Sequence, residues 1–204
     1  MKSSNVLAVI LVVAAVAAGA AASHFLFAKP APATVATGTM LPVPREIGEF
    51  ALTGEDGKPF TRESFKGRWT VVFTGFTHCP DVCPTTLAML KQVATLLGPD
   101  KDKLQVLFVS VDPGRDKPEQ LATYVKYFDP AFRAATGPNA ELDKLGSNLG
   151  FVYLKVPGTT PDDYTMDHSA ALILVNPEAK VAGYFTPPFK VDALTGDLAK
   201  VVGS

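Results

Sequence analysis

A mixed α/β sheet flanked by helices is the architecture this sequence predicts, and three features predict it. Two β-rich apolar runs, Trp69 to Phe76 (WTVVFTGF) and Leu104 to Val111 (LQVLFVSV), are each followed by apolar residues at helical spacing. Two later apolar runs, Ala170 to Val175 and Val181 to Phe185, flank the turn-rich segment 176–180 as a hairpin would. Strands that alternate with helices early and pair antiparallel late call for a mixed sheet. Composition allows it: of the 204 residues 47% are hydrophobic and 19% charged, enough for a core and too apolar for a disordered chain.

The N-terminus predicts something else. From Val6 to Ala22 every residue is Val, Leu, Ile, Ala or Gly, and apolar character resumes at Phe25-Leu26-Phe27. Those 22 residues would span about 33 Å as a helix, enough for a bilayer core of about 30 Å. Residues 1–28 therefore read as a transmembrane anchor with Lys2 on its positive flank. A cleaved signal peptide is the alternative, and the length with its second apolar burst favours retention. Residues 29–44, with Pro30, Pro32, Pro42 and Pro44 amid Ala and Thr, read as an extended linker. Residues 45–204 are left as one folded domain. The expected location is the bacterial inner membrane, single-pass, with that domain in the periplasm.

Within the domain, Glu49 to Thr53 and Lys58 to Thr61 flank an Asp56-Gly57 turn and predict a short hairpin. After Trp69 to Phe76, Leu87, Leu90, Ala94 and Leu97 mark one helix face that ends at Gly98-Pro99. Beyond the second buried strand, Asp116, Pro118 and Glu119 open a helix with Leu121, Tyr124, Val125 and Phe128 on one face. Asn139 is a suitable cap for a helix bearing Leu142, Leu145 and Leu149. Phe151 to Val156 reads as a strand, Pro157 to Asp167 as a loop, and Leu194, Leu198 and Val201 as a closing helix.

Charge and cysteine count exclude several functions. All 20 acidic residues follow residue 44, so the domain is mildly acidic and poorly suited to nucleic acid. Two cysteines cannot build a disulfide framework or a four-thiolate zinc site. Cys79 and Cys83 instead lie where a buried strand gives way to a helix, in Gly75-Phe76-Thr77-His78-Cys79-Pro80-Asp81-Val82-Cys83-Pro84. With a helix beginning at Pro80, residues four apart share a face and the two sulfurs converge. The helix N-terminus then favours both thiolates. Such a pair suits Cu(I) or a reversible disulfide. A structural disulfide closing five residues would contribute only about 2 kcal/mol. Of the three histidines, His24 belongs to the membrane-proximal segment, His78 should point away from both sulfurs, and His168 lies in a loop before an apolar strand.

Three segments together, Phe76 to Thr85, Ser110-Val111-Asp112-Pro113-Gly114-Arg115-Asp116 and Asp167-His168-Ser169, resemble the Sco/SenC family. The resemblance covers essentially all of residues 45–204 and departs at Lys117, where the family often has Thr. It implies a thioredoxin-like fold and a membrane-anchored protein that assists copper insertion into cytochrome c oxidase. It also implies Cys79, Cys83 and His168 as copper ligands; in an open, low-coordinate site, His168 on a mobile loop would be the exchangeable one. Two thiolates and an imidazole satisfy Cu(I) and tolerate Cu(II). Asp81, Asp112 and Asp167 are candidates for orienting a ligand, or merely turn and capping carboxylates. The expected partner is the copper-receiving oxidase subunit, and another copper chaperone or a thioredoxin-like reductant are further candidates. A thiol–disulfide oxidoreductase working through the Cys79–Cys83 disulfide is the rival reading. A peroxidase is a third, with Arg115 as its only basic candidate.

Overall fold

The computed structural model describes residues 10–20, 23, 34–159 and 163–203. The chain divides into two units, residues 1–32 and 33–204. In the first, residues 10–20 are helical, with the side chains of Ile10, Leu11, Val12, Val13 and Val16 exposed. Among the described residues no helix is long and apolar enough to cross a membrane, and much of the anchor expected over 1–28, His24 included, lies outside them.

The second unit opens with strands β1 (Gly38–Glu46), β2 (Leu52–Gly54), β3 (Pro59–Phe60) and β4 (Trp69–Gly75). Helix α1 (Val82–Leu96), strand β5 (Leu104–Ser110), helix α2 (Pro118–Phe128) and strand β6 (Arg133–Thr136) follow. After helix α3 (Asn139–Leu149) come β7 (Tyr153–Pro157), β8 (Tyr164–His168), β9 (Leu172–Val175) and β10 (Lys180–Phe185), and helix α4 (Val191–Val202) closes the unit. Eight strands form one sheet in the order β1-β10-β9-β4-β5-β6-β2-β3, while β7 and β8 pair separately.

The sheet is mixed, as expected: β4, β5 and β6 run parallel, and β9 turns antiparallel on β4. Every residue of β5, and every residue of β4 after Trp69, is buried, which is why these two runs lack polar alternation. Parallel strands need crossover connections, which α1 and α2 supply. Helix α4 packs on α1, and α2 packs on β6. The Asp-Gly hairpin forms with Gly57 at φ 75°, a left-handed turn position that suits glycine. Asn139 turns out to be the first helical residue rather than the cap; Pro138 precedes it, and no side chain caps this end.

The linker expected over 29–44 does not hold to its C-terminal boundary. Strand β1 begins at Gly38 and pairs antiparallel with β10, Gly38 opposite Phe185 and Glu46 opposite Lys180. Pro42 and Pro44 fall in the irregular stretch between Met40 and Arg45, and an edge strand tolerates proline because one side needs no ladder partner. Just before β1, the buried carboxylate of Asp197 on α4 accepts bonds from the Ala36 N–H (2.8 Å), the Thr37 N–H (2.7 Å) and the Thr37 hydroxyl (2.7 Å). Burial opposes its ionisation, but these donors and Lys200 outweigh it and hold the carboxyl below its ordinary value. A group with a depressed folded pKa stabilises the fold above the ordinary value and stops doing so as pH falls through the depressed one. Asp197→Ala should therefore lose about 1–3 kcal/mol at neutral pH. In urea melts its deficit against wild type should shrink once the pH drops below the ordinary carboxyl value of 3.8.

Candidate metal centre

The β4–α1 junction carries both cysteines, though not as two residues of one helix. Helix α1 begins at Val82, so Cys79 lies in the turn before it and only Cys83 is helical. The Cys83 N–H points back at Cys79 Sγ, 3.4 Å away, and gives the first sulfur a helix-end donor. Both thiols are free, Cys79 partly exposed and Cys83 fully buried. Gly75 makes room for the buried one: a β-carbon there would stand 2.7 Å from Cys83 Sγ and 2.7 Å from the Phe108 ring.

The expectation that the helix end favours both thiolates fails at Cys83. Burial pushes its thiol up, and the Cys79 sulfur and the Asp116 carboxylate add to that rise, while a bond from the Phe76 backbone opposes it. The thiol therefore keeps its proton at neutral pH.

His168 reaches this place from 85 positions away, its Nε2 standing 3.8 Å from Cys83 Sγ. It is not on a loop: it is the last residue of β8, opposite Tyr153 of β7. Its ring lies edge-on to Phe73 and Phe76, each with centroids 6.2 Å away. Nδ1 sits 3.1 Å from the Ser169 carbonyl. A proton on Nδ1, donated there, leaves the Nε2 lone pair facing the sulfur, the tautomer a metal requires.

The donor set fits a soft ion. Bonds of about 2.3 Å to sulfur and about 2.0 Å to nitrogen, opened to about 120°, separate the two donor atoms by about 3.7 Å. The two atoms meet at 3.8 Å as a thiol–imidazole hydrogen bond, close to that span. Among the described residues no three such side chains already form a closed cluster, so a metal would have to draw in Cys79 as its third arm.

Around the donors, a carboxylate absent from the sequence-based expectations organises the turn. Asp116 is fully buried and accepts bonds from the Thr77 N–H (2.9 Å), the Thr77 hydroxyl (2.5 Å) and the Ser110 hydroxyl (2.5 Å). It thereby ties the residues before Cys79 to the end of β5. Its only signal in sequence was a helix-opening acid. His78 turns toward Asp116, 3.8 Å away, and its imidazole is 54% exposed.

Of the other named acids, Asp81 accepts a bond from the Thr85 hydroxyl (3.2 Å), and Asp167 is exposed on β8. Asp112 is buried and bonds Arg115 and Tyr164. Met166 is buried and packs in the core. Arg115, the cation a peroxidase reading would need, is bonded to Asp112 and to the Tyr164 carbonyl. Lys117, the departure from the family pattern, stands at the start of α2, away from the donors.

Comparison with known proteins places the chain in a family. The SCO1/SenC family pattern matches residues 39–203, starting inside β1. A Stutzerimonas stutzeri protein named for copper binding is 38% identical over 165 residues, 80% of each chain. The mitochondrial SCO1 homolog of Mus musculus is 34% identical over 154 residues, 74% of this chain and 54% of its own. The chain thus spans about half the length of that mitochondrial relative. Bradyrhizobium japonicum ScoI, solved with copper bound, superposes at a TM-score of 0.69 with 37% identity, covering 76% of this chain and 99% of that one. The match runs through every strand of the sheet and the whole β4–α1 junction, and the chain belongs to the SCO1/SenC family.

Proposed function

We propose that this chain is an exported, membrane-anchored copper chaperone that binds copper through Cys79, Cys83 and His168 and assists copper-site assembly in cytochrome c oxidase. The observation that carries the reading is the 3.8 Å approach of His168 Nε2 to Cys83 Sγ, a gap the size of a shared ion. Relatives solved with copper bound support it. Copper is here the cargo. Two sulfurs and one nitrogen leave coordination positions open, so a receiving ligand can attack before a donor departs. The partly exposed Cys79 is the arm from which transfer would begin. In this reading the N-terminal segment holds the domain at the periplasmic face of the bacterial inner membrane, beside the oxidase subunit that receives the metal.

Anaerobic Cu(I) titration of the reduced chain tests the proposal. Wild type should take up one equivalent tightly, and Cys83→Ser should take up none. His168→Ala should weaken Cu(II) binding by more than about 100-fold, since even residues that merely support a ligand cost about 10–100-fold. Unchanged uptake in both variants would sink the reading.

Proton bookkeeping gives a second check. With the Cys83 thiol held protonated, copper must displace that proton, and affinity should fall about tenfold for each pH unit lost per proton released. Calorimetry in buffers of different ionisation enthalpy counts the protons; zero release at neutral pH would contradict the assignment.

One observation favours a second reading. The Cys83 N–H lies 3.4 Å from Cys79 Sγ, so the two cysteines are neighbours, as partners in a reversible disulfide would be. A thiol–disulfide oxidoreductase acting on the copper-ligand cysteines of the oxidase subunit would retain its reductase activity as His168→Ala, whereas a copper chaperone would lose its cargo site.

A further inference from the structure

The β7–β8 pair carries His168 but lies outside the eight-stranded sheet, so something else must set its tilt. At the His168 end it is fastened through Thr74 and Tyr153: the Thr74 hydroxyl donates to the Ser169 carbonyl (2.9 Å), and the Tyr153 hydroxyl donates to Asp143 (2.7 Å) and lies 3.3 Å from the Asn139 carbonyl. Both fastenings sit close to one end, like a hinge. The other end of β8 is Tyr164, four residues and about 13 Å away at about 3.3 Å per residue.

Among the described residues, that far end is held by Arg115 and Asp112. Arg115 Nη1 donates to the Tyr164 carbonyl (3.1 Å), and its guanidinium lies 3.7 Å over the Tyr164 ring. Asp112 closes the triangle, receiving Arg115 Nε (2.5 Å) and the Tyr164 hydroxyl (2.8 Å). Gly114 leaves space for the latter bond: a β-carbon there would come within 3.2 Å of the Tyr164 hydroxyl. Lys155 of β7 also lies over the Tyr164 ring, 3.7 Å from its centroid. The guanidinium has a second line to His168, because it stands 5.8 Å over the Phe76 ring, and Phe76 meets the imidazole edge-on. Arg115 Nη2 is buried without a hydrogen-bond partner, as expected of an N–H held against aromatic faces.

We propose that Arg115, braced by Asp112, is the positioning residue for His168: through Tyr164 and Phe76 it holds the imidazole at ligating distance from Cys83 while touching neither cysteine. The inference rests on the three-donor reading of the site. It adds that the nitrogen arm and the sulfur arms have different braces on the same β5–α2 loop: Asp116 ties the turn that leads to the sulfurs, and Arg115 holds the strand pair that carries the nitrogen. Loosening the strut should turn a three-donor site into a two-sulfur site.

The test compares the full chain as wild type, Arg115→Met, Arg115→Lys and Tyr164→Phe, reduced and metal-free, by NMR of the His168 ring protons. In wild type the Phe73 and Phe76 rings displace those signals from free-histidine positions. Arg115→Met should move them most of the way back, and Arg115→Lys should recover part of the displacement. Tyr164→Phe, which removes only the hydroxyl bond to Asp112, should give a smaller shift in the same direction and keeps the test alive if Arg115→Met does not fold.

On copper addition, Arg115→Met should still take one Cu(I), with Cu(II) affinity down about tenfold or more and the nitrogen coupling in its electron paramagnetic resonance spectrum weakened. His168 signals at wild-type positions in both Arg115→Met and Tyr164→Phe would overturn the proposal. Failure of the ligand reading has a different signature: nitrogen coupling in wild type that survives His168→Ala. In that case the ring-proton shifts still decide whether the strut exists.

Discussion

Gly75→Ala should cost the protein its copper site and a large part of its stability together. The added methyl would meet Cys83 Sγ and the Phe108 ring, each at 2.7 Å, and neither side chain has solvent to retreat into. Overpacking a dense core in this way typically costs about 1–3 kcal/mol. What distinguishes this position from an ordinary core glycine is which atom gives way. Relief by rotating Cys83 carries its sulfur away from His168 Nε2, so Cu(I) stoichiometry should fall with the urea midpoint. A variant that melts early yet binds one Cu(I) at wild-type affinity would show that Phe108 moves instead.

Asp116→Ala should cost still more stability. Three donors, the Thr77 N–H, the Thr77 hydroxyl and the Ser110 hydroxyl, would lose a buried acceptor at once. Hydrogen bonds to a charged acceptor are worth about 1.5–3 kcal/mol each, and the stranded N–H cannot rotate toward a new partner. We expect a loss of about 3 kcal/mol or more in urea melts. Asp116→Asn should lose less, because both hydroxyls can turn to suit an amide. The melts are to be set beside Cu(I) titration, since the turn tied by Asp116 leads directly into Cys79. A loss under about 1 kcal/mol for the alanine variant would mean that water replaces the carboxylate.

The central architecture was readable because burial on both faces writes itself as unbroken apolar runs, as in β4 and β5, and because α1, α2 and α4 keep their apolar residues on one face. Elements that pack on one side only were harder to see. β1 hides behind Pro42 and Pro44, which an outer strand accommodates where the ladder is interrupted. β8 buries only Met166 of its five residues, so it looked like a polar loop, and His168 was misplaced with it. Asp116 was invisible as an organising group because its partners, Thr77 and Ser110, come from two other segments. The cysteine pair was legible from its place after a buried strand. Its meeting with His168 was implied only by the family resemblance, since nothing in a sequence joins residues 85 positions apart.

The three bonds that Asp197 accepts ahead of β1 have a mechanical consequence. A tug on the chain upstream of Ala36 is resisted first by a carboxylate gripping two successive residues, so the load is shared before any rung of the β1–β10 ladder is strained. The force passes into α4 and on to α1, so the helix that carries Cys83 shares whatever load the leading residues bring.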